Sequence, residues 1–143
     1  MRTIILALIT GILIISCGTE PTSTIDGNYK GVYSITHNYG TDSAYTLRGN
    51  ITFEFSKGQY KYEGEKLHLP PGGLGEYIVV VETSKIILVD YGRYKANIDP
   101  RLLLNGSFDY SFNGENLTLT QEAKQYSYFH KIVLNKQRDE NNN

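Results

Sequence analysis

One thiol and three imidazoles are the chain's most reactive side chains, and their spacing restricts the chemistry open to them. Cys17 is the only cysteine, so no internal disulfide can form. His37, His68 and His130 lie far apart, with no His-x-x-x-His or His-Glu-x-x-His spacing to put two ligands for zinc on one helix face. No Gly-x-Ser-x-Gly elbow is present to expose a nucleophilic serine. Asp90, Asp99 and Asp109 fall near the ends of predicted strands, and Glu63 and Glu65 flank Gly64. Solvated carboxylates are ordinary there. The expectation is a non-enzymatic protein with no catalytic residues, metal ligands or cofactor. The enzymatic alternative is a hydrolase or isomerase working through Tyr, His and Asp groups.

Cys17 is explained by what precedes it. Met1-Arg2-Thr3 is a short basic head, and Ile4 to Ile15 is apolar apart from Thr10 and Gly11. Twelve residues are too few to span a hydrocarbon core of about 30 Å, which needs roughly 20 helical residues. The pattern is that of a secretory signal. Ile14-Ile15-Ser16-Cys17 resembles the lipobox of bacterial lipoproteins: an aliphatic residue, a variable one, a small one, then cysteine. That resemblance implies cleavage before Cys17, acylation of its sulfur and new amino terminus, and a lipid anchor in the cell envelope. Two or more acyl chains hold stably where one binds reversibly. Gly18 rather than Asp after the cysteine favours the outer membrane.

The expected organisation follows: residues 1–16 are a signal peptide, 17–26 a lipidated tether, 27–134 one folded domain and 135–143 a disordered polar tail. Gly18 to Asp26 is small, polar and Pro-containing, and the last nine residues carry no apolar side chain. The formal net charge is −1, or −2 once Arg2 leaves with the signal. A nearly neutral surface argues against a nucleic-acid partner, which needs a basic face.

Between those ends the hydrophobic period is two. Tyr45, Leu47, Ile51, Phe53 and Phe55 alternate with polar residues, with Gly49-Asn50 expected to mark a bulge or bend. Lys57-Gly58 as a two-residue hairpin loop pairs Phe55 with Tyr60, Phe53 with Tyr62 and Glu54 with Lys61. Asn113-Gly114 as a second loop pairs Tyr110 with Leu117 and Phe108 with Leu119. A turn at Thr83-Ser84 pairs Val80 with Ile87 and Val79 with Leu88, leaving both faces of the 77–89 hairpin apolar. Gly27 to His37 and Gln125 to Leu134 supply the first and last strands. No convincing amphipathic helix is present. Eight strands joined by short turns make an all-β, antiparallel, up-and-down barrel, closed so that no edge is left to aggregate.

This pattern resembles the small lipocalin-like (calycin) lipoproteins of bacteria. Gly27-Asn28-Tyr29 occupies the place of the family's Gly-x-Trp element. Tyr110-Ser111-Phe112-Asn113-Gly114-Glu115-Asn116-Leu117-Thr118-Leu119 is close to its late "Tyr-x-Phe/Leu-x-Gly-Asp/Asn-x-Leu-x-Leu" hairpin. The resemblance implies a cup with one open mouth that can hold a small apolar or amphipathic ligand. The candidate ligand-binding residues are Tyr33, Phe53, Phe55, Tyr60, Tyr62, Phe108 and Tyr110. The same residues, with Leu117 and Leu119, can equally be a packed core, each worth roughly 1.5–3 kcal/mol on burial. Twelve tyrosines bring many hydroxyls that need partners once buried.

Two loops complete the reading. Glu65 to Glu76, with Leu67, Leu69 and Leu74, is either a long connector between two hairpins or a lid over the mouth, and its leucines can also cover the outer apolar face of the 77–89 hairpin. Left uncovered, that face would receive a protein partner. Asp90 to Arg101 sets Tyr91 and Tyr94 beside Arg93 and Lys95, a solvated loop or a contact for an acidic partner.

Overall fold

The computed structural model describes residues 24–65, 70, 72–92, 99–124 and 127–138. Cys17, the signal segment, Leu67, Leu69, Arg93, Tyr94, Lys95 and the last five residues lie outside them. Eight strands follow in chain order: β1 (Gly27–His37), β2 (Tyr45–Ser56), β3 (Gln59–Gly64), β4 (Gly73–Val80), β5 (Lys85–Asp90), β6 (Gly106–Phe112), β7 (Asn116–Ala123) and β8 (Tyr128–Lys136). Each pairs antiparallel with its sequence neighbours, and β8 returns to β1 to close the barrel. There is no α-helix among the described residues. The fold is an all-β, eight-stranded up-and-down barrel.

Alternation decides which side chains go inside. Tyr29, Tyr33 and Ile35 of β1 are buried, while Lys30 and Val32 between them are exposed. Ile51, Phe53 and Phe55 of β2 and Tyr60 and Tyr62 of β3 continue the inner surface. Ile86, Leu88, Phe108, Leu117, Leu119, His130, Ile132 and Leu134 complete it from the other side. β8 runs two residues beyond Leu134, and the Gln137 N–H donates to the Asn28 carbonyl.

The β2–β3 hairpin has the expected register, with Phe55 opposite Tyr60 and Phe53 opposite Tyr62. Lys57 (φ 50°) and Gly58 (φ 81°) are both left-handed, as a type I′ turn requires. Glu54 faces Lys61 in the ladder, yet the Lys61 ammonium pairs with Glu63 at 2.9 Å instead.

Three expectations are corrected. Gly49-Asn50 is not a bulge: β2 pairs with β1 one residue for one residue from Phe55 to Tyr45. Gly49 falls on the inward phase opposite Tyr33, a small residue facing a fully buried large one, so the ladder needs no extra residue there. In the β6–β7 hairpin Phe112 faces Leu117 and Tyr110 faces Leu119, one turn position later than expected. The Asn113 side chain accepts from the Glu115 and Asn116 N–H groups, so Asn113 opens the turn and Gly114 (φ 96°) becomes its first central residue. In the β4–β5 hairpin Val79 faces Ile86 and Ile78 faces Ile87. A four-residue connection replaces the two-residue turn, because Val81–Thr83 make a 3₁₀ turn that ends in left-handed Ser84. Both shifts move the pairing by two residues, which preserves the faces.

β4 also begins earlier than the Tyr77 expected. Gly73 to Glu76, read as loop, are strand. Leu74 lies on the outer phase with Ile78 and is 56% exposed, so it extends the outer apolar face instead of covering it.

Candidate functional site

Near each end of the barrel, among the described residues, an aliphatic side chain from outside the strands is buried in the core. At the end where the chain enters and leaves, Ile25 is buried, and its carbonyl accepts from the Tyr29 hydroxyl at 2.9 Å. At the far end, where the longer connections lie, Leu104 is fully buried, and its carbonyl accepts from the Tyr60 hydroxyl at 3.3 Å. The tyrosine hydroxyls thus find partners within the protein. Tyr62 donates to Asp90, Tyr77 to Asp26 and Tyr91 to Glu76.

The structure draws most of the candidate ligand-binding residues together by stacking them on each other. Phe53 lies 5.2 Å from Phe55 and 5.4 Å from Tyr62, ring centre to ring centre, and Tyr60 lies 6.1 Å from Tyr62. Offset-stacked rings at such spacings attract one another beyond their burial. These four make one wall of the core. Tyr33 and Phe108 stand with His130 instead, and Tyr110 is only partly buried, near the termini.

His130 is the one buried charged or polar residue among those described. Its Nδ1 is 2.8 Å from the Tyr33 hydroxyl, and its Nε2 has no partner among the described residues. If Nδ1 carried the proton, the phenol hydrogen and the Nε2 lone pair would both go unmatched. With Tyr33 donating to Nδ1, only the Nε2–H is unmatched, so that tautomer follows from satisfying the larger number of groups. Burial, with His37 adding to it, holds the imidazole down at about 4. Burial pushes the Tyr33 phenol far up, and Tyr128 and Asp99 add to that. Asp99 is held below the usual carboxylate range by its bonds to Arg101.

A cleft of about 490 Å³ opens at the termini end. Ile25, Tyr77, Val79, Val81, Tyr110 and Phe112 give it an apolar lining, and Asp26, Lys57 and Gly58 form a polar margin. It exists because Ile25 stoppers the β1–β3 side while the inner residues of β4 and β6 near their tips remain only partly covered. The Asp26 carboxylate fixes the margin: its Oδ1 accepts from the Lys57 N–H at 3.2 Å and from the Tyr77 hydroxyl at 2.5 Å. Burial, then the bond to Asp26, raises the Tyr77 phenol to about 12. Pockets for small ligands are concave and mostly apolar, with few polar groups, in a range of roughly 300–1,000 Å³. The cleft has that character.

Of the candidate residues, only Tyr110 reaches this cleft. Tyr77, Val79 and Phe112 were legible as apolar strand residues, but nothing in period-two alternation distinguishes a strand tip from a strand centre. Ile25-Asp26 was read as tether; an isoleucine next to an acidic residue just before the first strand was the available signal. Comparison with protein families, curated proteins and solved structures finds no match for this chain.

Proposed function

We propose that this protein is a lipoprotein of the cell envelope, anchored through Cys17, whose lipocalin-like barrel binds a small apolar or amphipathic ligand. The single observation that supports ligand binding is the apolar cleft with its Asp26–Tyr77 margin. The stacked wall of Phe53, Phe55, Tyr60 and Tyr62 serves as the floor beneath it, since displacing those rings would forfeit their mutual packing. The test is native mass spectrometry of the processed protein purified from its own host. A non-covalent adduct that dissociates on activation, and is lost in a Val79→Phe variant, is the expected result. A bare polypeptide mass, together with failure to displace a fluorescent apolar probe, would count against ligand binding.

A second reading, a ligand-free module that meets another envelope protein, is favoured by one observation. The outer face of β4 and β5 is apolar, with Ile78 58% and Val89 37% exposed beside half-buried Val80 and Ile87. Val80→Lys with Ile87→Lys should then abolish self-association or partner capture while leaving the monomer folded, as read by sedimentation and circular dichroism. Unchanged association would remove this reading, and failure to fold would mean that the pair points inward.

A further inference from the structure

We infer that the outer face of β4 and β5 takes a second copy of this chain, packed on the same face by a half-turn along the Ile78–Ile87 pair. This rests on the apolar face of the second reading above and names the partner it receives. Neither the lipid anchor nor the cleft enters it. The ladder fixes the layout of the face. Ile78 stands opposite Ile87 at its centre, Glu76 opposite Val89 on one side, and Val80 opposite Lys85 on the other. Leu74 lies beyond Glu76 on the same outer phase and is exposed. Gln59 and Lys61 of β3 bound the face on one flank, and Ser107 and Asp109 of β6 on the other. An apolar centre inside a polar rim is the common anatomy of a protein contact.

The two charges inside the face select a second copy. Glu76 and Lys85 each precede an isoleucine by two residues, and the strands are antiparallel. The charges therefore fall on opposite sides of the Ile78–Ile87 pair, and they have opposite signs. Such a surface is complementary to itself, as a two-fold contact requires. A half-turn about an axis lying along the pair sets each strand antiparallel over its own copy. Ile78 then meets Ile78 and Ile87 meets Ile87. The Glu76–Val89 row of one copy lies over the Val80–Lys85 row of the other, so Lys85 meets Glu76 twice, once on each side of the axis. Neither charge has to give up the bond it already makes. The Tyr91 hydroxyl donates to Oε2 of Glu76 at 3.0 Å, which leaves Oε1 to accept. The Lys85 ammonium lies 2.6 Å from Asp109, and with three donors it can hold both carboxylates. A half-turn along the strand direction would instead set Glu76 over Val89 and Lys85 over Val80. Each charge would then be covered by an aliphatic side chain without a new partner, which is costly.

The test uses the processed full chain in detergent solution, with sedimentation across a concentration series to read mass and circular dichroism to read the fold. Wild type should pass from monomer to dimer. Glu76→Lys alone and Lys85→Glu alone, both at the surface, should stay folded and weaken the dimer by about tenfold, since each sets like charges together on both sides of the axis. An equal mixture of the two variants should recover the wild-type association, because every mixed dimer has Lys against Glu at both contacts. Recovery between chains cannot come from a change within one chain. A wild type that stays monomeric, single variants that associate as wild type does, or a mixture no stronger than either variant would overturn the inference. Photo-crosslinking in the chain's own host, from an aliphatic diazirine residue encoded in place of Ile78, separates that failure from failure of the docking reading. A product of twice the chain mass, joined β4 to β4, is expected. A product with a different protein would overturn the second copy and keep the docking face, whereas adducts to lipid or water alone would remove both.

Discussion

Acidification should unfold this barrel through one residue in its interior. His130 is 1% exposed, and its imidazole is held down at about 4 from an ordinary value of 6.5. The folded protein therefore keeps His130 neutral where the unfolded chain has already bound a proton. Between pH 6.5 and 4 the unfolded state carries more protons, so stability rises with pH across that window and is lost as pH falls through it. A gap of about two and a half units at ~1.4 kcal/mol per unit amounts to about 3 kcal/mol. That is a substantial part of the 5–15 kcal/mol typical of a domain. Urea midpoints taken at pH 7.5, 6.5, 5.5 and 4.5 for wild type and His130→Phe isolate the effect, because the surface carboxylates are common to both. The variant should be weaker at pH 7.5, having stranded the Tyr33 hydroxyl, but should lack the wild type's extra loss below pH 6.5. Adding Tyr33→Phe should recover stability, since removing both partners costs less than removing one. An imidazole that titrates near 6.5 in the folded protein by NMR, or an identical pH slope in wild type and variant, would refute the reasoning.

Other outcomes follow from separate features. Gly31→Ala would place its Cβ 1.8 Å from the Val133 carbonyl oxygen, a backbone atom on the paired strand; the urea midpoint should fall by the equivalent of about 3 kcal/mol, the upper end of overpacking costs, and an unchanged midpoint would mean β1 and β8 are not so close. Gly114→Val meets nothing within 4 Å, so its cost, about 1–2 kcal/mol, should be purely that of a β-branched residue at φ 96°; a midpoint equal to wild type would place the turn elsewhere. Cys17→Ser should leave the protein without lipid and release it from membranes, and metabolic labelling with a fatty-acid analogue that still marks the Ser variant would defeat the anchoring.

Much of the barrel was legible because most strands follow one rule, inward residues apolar and outward residues mainly polar. Tyr29, Tyr33 and Ile35 against Lys30 and Ser34 show it plainly. Where the rule applies to both faces, as in β4 and β5, alternation loses its contrast and the pairing was misplaced by two residues. The β6–β7 turn was misplaced for a different reason: Asn-Gly can occupy the two central positions of a turn, but here the Asn113 side chain caps the turn from the position before. The site was less visible still. Whether Tyr110 and Phe112 are core or cleft depends on how far each strand overhangs its neighbours, which is a property of the closed barrel's tilt and not of any local pattern. Ile25 acts from outside every strand, and a single buried side chain has no period.

A closed ladder in which every strand pairs with its sequence neighbours has no topological beginning. β1 is first only in chain order, and Tyr29 already sits beside Lys136 across the closure. Joining those ends and reopening the chain at Lys57-Gly58 or at Gly114 would leave all eight pairings available, since each is made by strands that still alternate in direction. The cleft has no such freedom. It needs Ile25 and Asp26 at that rim, and they reach it only because the chain enters there. The barrel is thus indifferent to where it is cut, whereas this apolar cleft is built by the act of entry.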